Sequence, residues 1–126
     1  MKHLSEAQLK VMLAIWEAKE PVSRSEIQER LHGSQWQITT LNTFLNRLSQ
    51  SGFLKIDHRG KEYVYSALVS EEEYKGFAGK NILKTLYGNS IKKFVASVCN
   101  SNNLTEEEVN SLQTLLTKLK EGDRRD

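Results

Sequence analysis

The fold of this chain is decided by residues 35–65, which read QWQITTLNTFLNRLSQSGFLKIDHRGKEYVY. Apolar residues in the first half of this stretch recur at helical spacing, so we predict a helix over residues 35–50 with Gly52 as its C-terminal cap. Two runs rich in β-branched and aromatic residues follow, at 53–56 and 63–65. These runs predict a β-hairpin, the loop of which spans residues 57–62.

Two helices are predicted before this stretch. Ser5 with Gln8, and Ser23 with Glu26, have the spacing of capping boxes, in which side chains bond the free amides at the start of a helix. Residues 33–34, Gly-Ser, supply a turn before the third helix. Three helices with a tight turn between the second and third, followed by a hairpin, predict a winged helix-turn-helix domain.

The second half of the chain predicts three further amphipathic helices. Ser70 and Thr105 each begin a capping box, and apolar residues recur at helical spacing after them. Helices this short bury too little surface alone, so we expect this half to pair with a second copy of itself. The predicted dimer interface consists of apolar and aromatic residues of the first and last of these helices: Leu83, Tyr87, Val109, Leu112, Leu116 and Leu119.

The predicted fold class is therefore mainly α. A winged helix-turn-helix DNA-binding domain with a small β-hairpin wing is expected over residues 1–69. A three-helix dimerisation domain is expected over residues 70–126.

The third helix separates into two faces on a helical wheel. The predicted core face is apolar and contains Ile38, Leu41, Phe44, Leu45 and Leu48. The opposite face is mostly polar and contains Gln35, Trp36, Thr39, Asn42, Thr43, Asn46, Arg47 and Gln50.

The polar face has the composition of a surface that reads DNA. An ordinary solvated helix face uses Glu and Lys, which form helices better than Thr and Asn do. Short neutral donors and acceptors suit base edges in the major groove, where Asn pairs with adenine and Thr contacts the thymine methyl. No acidic residue lies between Glu29 and Asp57, which favours contact with a polyanion. The polar side chains predicted to contact DNA are Thr39, Thr40, Asn42, Thr43 and Asn46.

Basic side chains near this helix are predicted to hold phosphates, which would fix register without reading sequence. They are Arg24, Arg47, Lys55, Arg59 and Lys61.

Several other classes of protein fit the sequence poorly. Apolar residues make up 38% of the chain, and none of its apolar runs approaches the roughly 18 residues that a bilayer requires. We expect neither a secretory signal nor a membrane span, and a cytoplasmic location. Cys99 is the only cysteine and the three histidines lie far apart, so we expect neither a metal nor a cofactor. There is neither a nucleophile elbow nor a phosphate-binding glycine loop, and we expect no enzymatic activity.

The ordered set of residues resembles the penicillinase and methicillin-resistance repressors, the BlaI/MecI family. The resemblance runs along nearly the whole chain and is carried by its opening helix, third helix, hairpin and closing helix: Leu4-Ser5, Met12, Ile15, Trp16, Thr40-Leu41, Leu45, Arg47-Leu48, Gly52-Phe53-Leu54, Tyr63, Tyr65, Ala67, Val69-Ser70, Tyr74, Leu86-Tyr87-Gly88, Leu104-Thr105, Glu108, Leu112 and Leu115-Leu116.

This resemblance implies a homodimeric repressor on an inverted-repeat operator, controlling genes of the β-lactam-resistance type. It also implies a membrane-bound sensor pathway that leads to cleavage of the repressor within its dimer module. The cleaved bond, often Asn-Phe in that family, aligns near Ser97 and Val98. Thr39 and Asn42 stand where the family commonly has charged residues, so the operator sequence is expected to differ.

Two alternatives stay open from the residues alone. Winged helices also serve as adaptors that bind proteins, which predicts weak DNA affinity that disappears at physiological salt. A regulator that responds to a small molecule would need a ligand pocket in the second half, and nothing in residues 70–126 marks one.

Overall fold

A computed structural model describes residues 1–18, 21–31, 36–101 and 104–123. Over these residues the chain forms six helices and three strands, which in order are α1 (Glu6–Ala18), β1 (Val22–Ser23), α2 (Arg24–Arg30), α3 (Ile38–Gln50), β2 (Leu54–Arg59), β3 (Glu62–Ala67), α4 (Glu71–Tyr87), α5 (Ile91–Ser101) and α6 (Glu106–Asp123). The strands form one antiparallel sheet in the order β1-β3-β2.

Each of the four predicted capping boxes has its leading hydroxyl bonded at the start of a helix, and in two of them, Ser5–Gln8 and Ser70–Glu73, the later side chain also accepts from the leading amide. In each one the leading hydroxyl accepts a hydrogen bond, 3.1 to 3.2 Å long, from the amide three residues later. The pairs are Ser5–Gln8, Ser23–Glu26, Ser70–Glu73 and Thr105–Glu108. These bonds satisfy helix amides that have no partner within the helix, which is why the helices begin at these positions.

The core of the N-terminal unit forms where α1, α2 and α3 pack on the sheet. Its least exposed side chains come from all of these elements and include Val11, Met12, Ile27, Leu41, Leu45, Leu48 and Phe53. Burial of each such apolar side chain contributes about 1.5–3 kcal/mol. Two long-range hydrogen bonds hold the rim of this core: the Trp16 indole donates to the Val69 carbonyl at 2.9 Å, and the Leu4 amide donates to the Tyr74 hydroxyl at 2.8 Å.

The chain divides into two compact units, Met1–Asn81 and Ile82–Asp126. The first unit extends beyond the predicted boundary at residue 69, because the start of α4 contributes to its core. Tyr74 is buried there, and Phe77 packs against the same cluster.

The start of α3 differs from the prediction. The helix begins at Ile38, so Trp36 and Gln37 precede it, and predicted residues Gln35 and 33–34 lie outside the described part of the chain. Trp36 does not join the polar face, because its ring packs on Phe44 with centroids 5.1 Å apart. Ile38 was predicted in the core but is 48% exposed. It lies in the first turn of α3, one turn before Leu41, the first side chain of the helix that is fully enclosed.

The wing is a tighter hairpin than the predicted six-residue loop implies. In the strand register, Arg59 at the end of β2 lies opposite Glu62 at the start of β3. Gly60 and Lys61 between them therefore form a two-residue turn. Gly60 has a φ of +65°, as the first position of a type II′ turn requires. Strand β1 was not predicted, since its two residues are too short to show an alternating pattern.

The C-terminal unit contains the end of α4 together with α5 and α6. Gly88 and Asn89, with φ of +54° and +66°, follow α4 and end it. None of the described residues from 82 to 123 is buried, and several large apolar side chains of this unit are exposed. Among the helices of the described chain, none has the length and apolar character needed to cross a membrane.

Candidate nucleic-acid interface

Helix α3 presents a polar surface while its other side is fixed in the core. Leu41, Leu45 and Leu48 are at most 1% exposed and anchor the helix against the sheet and α1. Among the residues predicted to contact DNA, those that are exposed on the helix are Thr39, Thr43, Asn46 and Arg47, and those that are half-buried are Thr40 and Asn42. The helix therefore offers short uncharged groups and one arginine on a rigid support.

Two threonines of this surface are linked through the helix backbone. The Thr43 hydroxyl donates to the Thr39 carbonyl at 3.0 Å. This bond uses the one hydroxyl proton, so Thr43 can offer only lone pairs and its methyl group to a ligand. The predicted contact with a thymine methyl is compatible with this arrangement.

Arg24 connects α2 to the middle of α3. Its Nη1 donates to the Oδ1 of Asn42 at 3.2 Å, and both side chains are half-buried. Sequence reasoning placed Arg24 at a phosphate and Asn42 at a base as two separate contacts. The structure joins them directly.

Arg24 also borders a surface cleft of about 440 Å³ between the start of α2 and the wing. The cleft is lined by Arg24, Ser25, Lys61, Glu62, Tyr63 and Tyr65. Burial raises the pKa of the Tyr65 phenol above its usual range, and the nearby Arg24 charge opposes that shift. Lys61, at the tip of the wing, thus lies in the same region as Arg24 and Asn42.

The other wing cations lie elsewhere on the hairpin. Alternation along β2 places Lys55, Asp57 and Arg59 on one face, whereas the rings of His58 and Tyr63 contact each other on the other face, tilted by 42° with centroids 4.6 Å apart. Lys55 pairs with Asp57 at 3.6 Å, and Arg59 donates to the Pro21 carbonyl at 3.4 Å. The His58 amide and the Lys55 charge lower the pKa of the Asp57 carboxyl. Lys55 is thus paired with a carboxylate and Arg59 is bonded to a backbone carbonyl, so Lys61 is better placed than either of them to contact a phosphate.

Ile38 is the surface residue of α3 that sequence reasoning missed as a possible DNA contact. It is exposed at the N-terminal end of the helix, where recognition helices contact base edges. Its apolar character assigned it to the core. Only the position of the helix start, which the sequence did not fix, shows that it is outside.

The predicted dimer residues of the C-terminal unit fall into two groups. Leu83 and Tyr87 on α4 are half-buried, and the Tyr87 hydroxyl donates to the Ser97 hydroxyl at 3.3 Å. The four on α6 are between 38% and 60% exposed, namely Val109, Leu112, Leu116 and Leu119. The pairing of these faces with a second copy of the chain stays a prediction.

The residues at which the resemblance places a cleaved bond, Ser97 and Val98, lie inside α5. Val98 is exposed, and Ser97 bonds with Tyr87. Backbone at this position is helical.

Comparison with known proteins identifies the family. The profile of the Penicillinase repressor family matches residues 4–118. The chain is 28% identical over 117 residues to a penicillinase repressor of Bacillus licheniformis, which covers 93% of this chain and 91% of that protein. It is 27% identical over 115 residues to the methicillin resistance regulatory protein MecI of Staphylococcus aureus strain N315, covering 91% and 94% of the two chains.

A solved structure agrees with this result. The solution structure of monomeric Bacillus licheniformis BlaI in complex with the blaP half-operator matches with a TM-score of 0.50 and 31% identity. The match covers 58% of this chain and 89% of that one. The chain belongs to the penicillinase repressor family, whose members are DNA-binding transcriptional repressors and not enzymes.

Proposed function

We propose that this DNA-binding repressor acts as a homodimer that recognises an inverted-repeat operator by sequence. The observation that carries the proposal is the exposed polar face of α3, which has no acidic residue and carries one charge, that of Arg47, in a stretch without acidic residues from 30 to 56. Such a face can enter the major groove without repelling the phosphates on either side. The BlaI relative was solved in complex with a half-operator, which supports operator binding by this chain.

We assign base reading to the polar side chains of α3 and phosphate contacts to the cations around it. Thr39, Thr43 and Asn46 are exposed on the helix, and Asn42 is half-buried and bonded to Arg24. Lys61 at the wing tip and Arg47 near the end of α3 are exposed. Lys55 and Arg59 would contribute phosphate contacts only after giving up the bonds that they make within the chain.

The dimer is proposed from the exposed apolar face of α6. Leucines that are 38% to 60% exposed on one helix form an apolar strip, and exposure of such a strip to water is unfavourable. A second copy of the same strip covers it symmetrically, as the commonest protein dimers do. A dimer that links two N-terminal units, each with its own α3, has a much higher affinity for two half-sites than a single unit has for one.

We propose target genes of the β-lactam-resistance type, since relatives are named for penicillinase and methicillin resistance. Release of DNA would follow cleavage near Ser97 and Val98 through a membrane-bound sensor pathway. Because this bond lies within α5, the helix must open locally before a protease can bind it. Cleavage would separate α6 from the N-terminal unit that binds DNA. The gain in DNA affinity that comes from linking two such units would then be lost.

Selection from a random pool of DNA duplexes with the full-length chain tests the proposal. We expect enrichment of two copies of one short sequence in inverted orientation, with centres about 10 base pairs or a multiple of that apart. Enrichment of a single unrepeated site would contradict the dimer, and no enrichment at all would contradict sequence-specific recognition.

A further inference from the structure

Asn42 differs from Thr39, Thr43 and Asn46 because its side chain is bonded to a side chain of another helix. Arg24 Nη1 lies 3.2 Å from Asn42 Oδ1. A guanidinium can only donate hydrogen bonds, so the atom facing it must be the amide oxygen. The amide nitrogen of Asn42, with its two protons, is therefore turned away from Arg24.

This orientation changes what Asn42 can recognise. An asparagine pairs with adenine by accepting from N6 and donating to N7 with the two ends of one amide. An amide whose oxygen is held by Arg24 has mainly its NH2 group to offer. In the major groove guanine presents two acceptors, O6 and N7, and thymine presents O4. Adenine presents one acceptor, N7, beside an N6 donor that needs the amide oxygen held by Arg24, and cytosine presents only an N4 donor.

The backbone of Arg24 is fixed at the start of α2, and its side chain is half-buried. It borders the cleft that contains Tyr65 and Lys61, and its charge acts on the largely buried Tyr65 phenol. Arg24 also follows Ser23, which caps α2 and pairs with Val64 in the sheet. A fixed donor of this kind can hold the Asn42 amide before DNA arrives, which saves the cost of ordering it on binding.

We propose that Arg24 is a positioning residue that sets the base preference of Asn42. By holding the amide oxygen, it makes Asn42 a donor toward guanine or thymine and directs it against cytosine. This inference rests on the proposed function and names the chemistry of one base contact within it. It revises the adenine pairing that the sequence suggested for Asn42.

The test uses full-length protein in DNA selection, followed by competition among four duplexes that differ at one base pair. Asn42→Ala first identifies the position that Asn42 reads, as the one position at which preference is lost. At that position we expect the unchanged protein to prefer guanine or thymine over cytosine by about tenfold or more. The four duplexes show which of the two bases is preferred.

Two variants then separate orientation from charge. Arg24→Met removes the donors and keeps the length of the side chain, so the freed amide should turn and shift preference at that position alone toward adenine. Asn42→Asp keeps the shape and its bond to Arg24 but offers only acceptors, so cytosine should become the preferred base. Arg30→Met is the matched control, because Arg30 lies at the other end of α2 and pairs with Glu17 at 3.3 Å.

The outcomes distinguish this inference from the proposed function. Equal loss of affinity for all four duplexes in Arg24→Met would mean that Arg24 only holds a phosphate, which would overturn the inference and leave the proposed function standing. An Asn42→Asp preference that still avoids cytosine, or an Asn42→Ala protein that keeps every preference, would also overturn it. An unchanged protein that enriches no sequence would overturn both.

Discussion

Asn46 tests base reading at the residue scale most simply, because it is exposed on α3 and makes no hydrogen bond with another described side chain. We expect Asn46→Ala to weaken binding to the selected operator by about 1–3 kcal/mol and to relax one base position. Fluorescence anisotropy with the operator and with single-base variants measures both effects. Equal weakening on every duplex would show that Asn46 does not read a base.

Lys61 is expected to behave in the opposite way. It lies in the turn of the wing and is exposed, as a phosphate contact would be. Lys61→Ala should weaken binding to all duplexes alike and reduce the slope of log affinity against log salt by about 0.9. Lys80→Ala on α4 is the control for loss of a surface charge and should leave the slope unchanged. Loss confined to the operator would contradict this role.

Tyr65 gives a pH dependence that follows from its burial. Its pKa in the folded chain lies above the ordinary value of 10.0, so the folded state holds this proton more tightly than the unfolded state does. The resulting stability is complete below pH 10 and is lost as pH rises toward the folded pKa. We expect Tyr65→Phe to reduce this loss of stability at alkaline pH, measured by chemical denaturation.

Arg24 affects the same phenol, because its charge lowers the pKa of Tyr65. Arg24→Met should therefore shift tyrosinate absorbance to still higher pH, and a downward shift would contradict the placement of Arg24.

The residue scale is also where sequence reasoning reached its limit. Residue types and spacing identified the polar face of α3, and Asn42, Asn46 and Thr39 lie on that face. The Arg24–Asn42 bond joins residues 18 positions apart on two helices, and nothing in the local pattern encodes such a contact. Contacts across elements depend on packing geometry, which periodicity does not supply.

Among the elements, α3 shows how far periodicity can be trusted. The wheel placed Leu41, Leu45 and Leu48 in the core, and the structure confirms all three. The same pattern placed Ile38 there, and that prediction was wrong, because a wheel does not show where the supporting surface ends. Capping boxes were more reliable, since both partners lie within one helical turn.

A pair of α3 substitutions separates the two faces by stability. Leu45→Ala should reduce the free energy of unfolding by about 2–5 kcal/mol, because it leaves a cavity in an enclosed core. Ile38→Ala should change it by no more than about 0.5 kcal/mol, as expected for an exposed site. Urea denaturation followed by circular dichroism gives both values. A large decrease in the free energy of unfolding of Ile38→Ala would mean that Ile38 is buried in the core after all.

The strands were predicted less completely than the helices. The alternation in residues 53–65 predicted the hairpin. It did not predict β1, because two residues beside Pro21 are too few to show an alternating pattern. Its pairing of Val22 with Tyr65 is a long-range contact that forms only when the sheet assembles. The first compact unit likewise extends past the predicted boundary at residue 69 because of long-range contacts. Tyr74 packs in a core formed by residues much earlier in the chain.

For the whole molecule, the proposed dimer depends on the apolar strip of α6. Leu112→Glu places a charge in that strip and should convert a dimer to a monomer in analytical ultracentrifugation, because burying an unpaired charge is costly. Thr114→Glu adds the same charge on the opposite side of α6 and should leave the dimer intact. Dimers in both variants would mean that α6 is not the interface.

The central claim is that two linked winged helices recognise one inverted repeat by sequence. The most direct measurement is fluorescence anisotropy of the full-length protein at about 150 mM salt, on the selected operator and on the same duplex with scrambled half-sites. We expect the operator to be preferred by about a thousandfold or more. Equal binding to the two duplexes, disappearing as salt is raised, would contradict the claim.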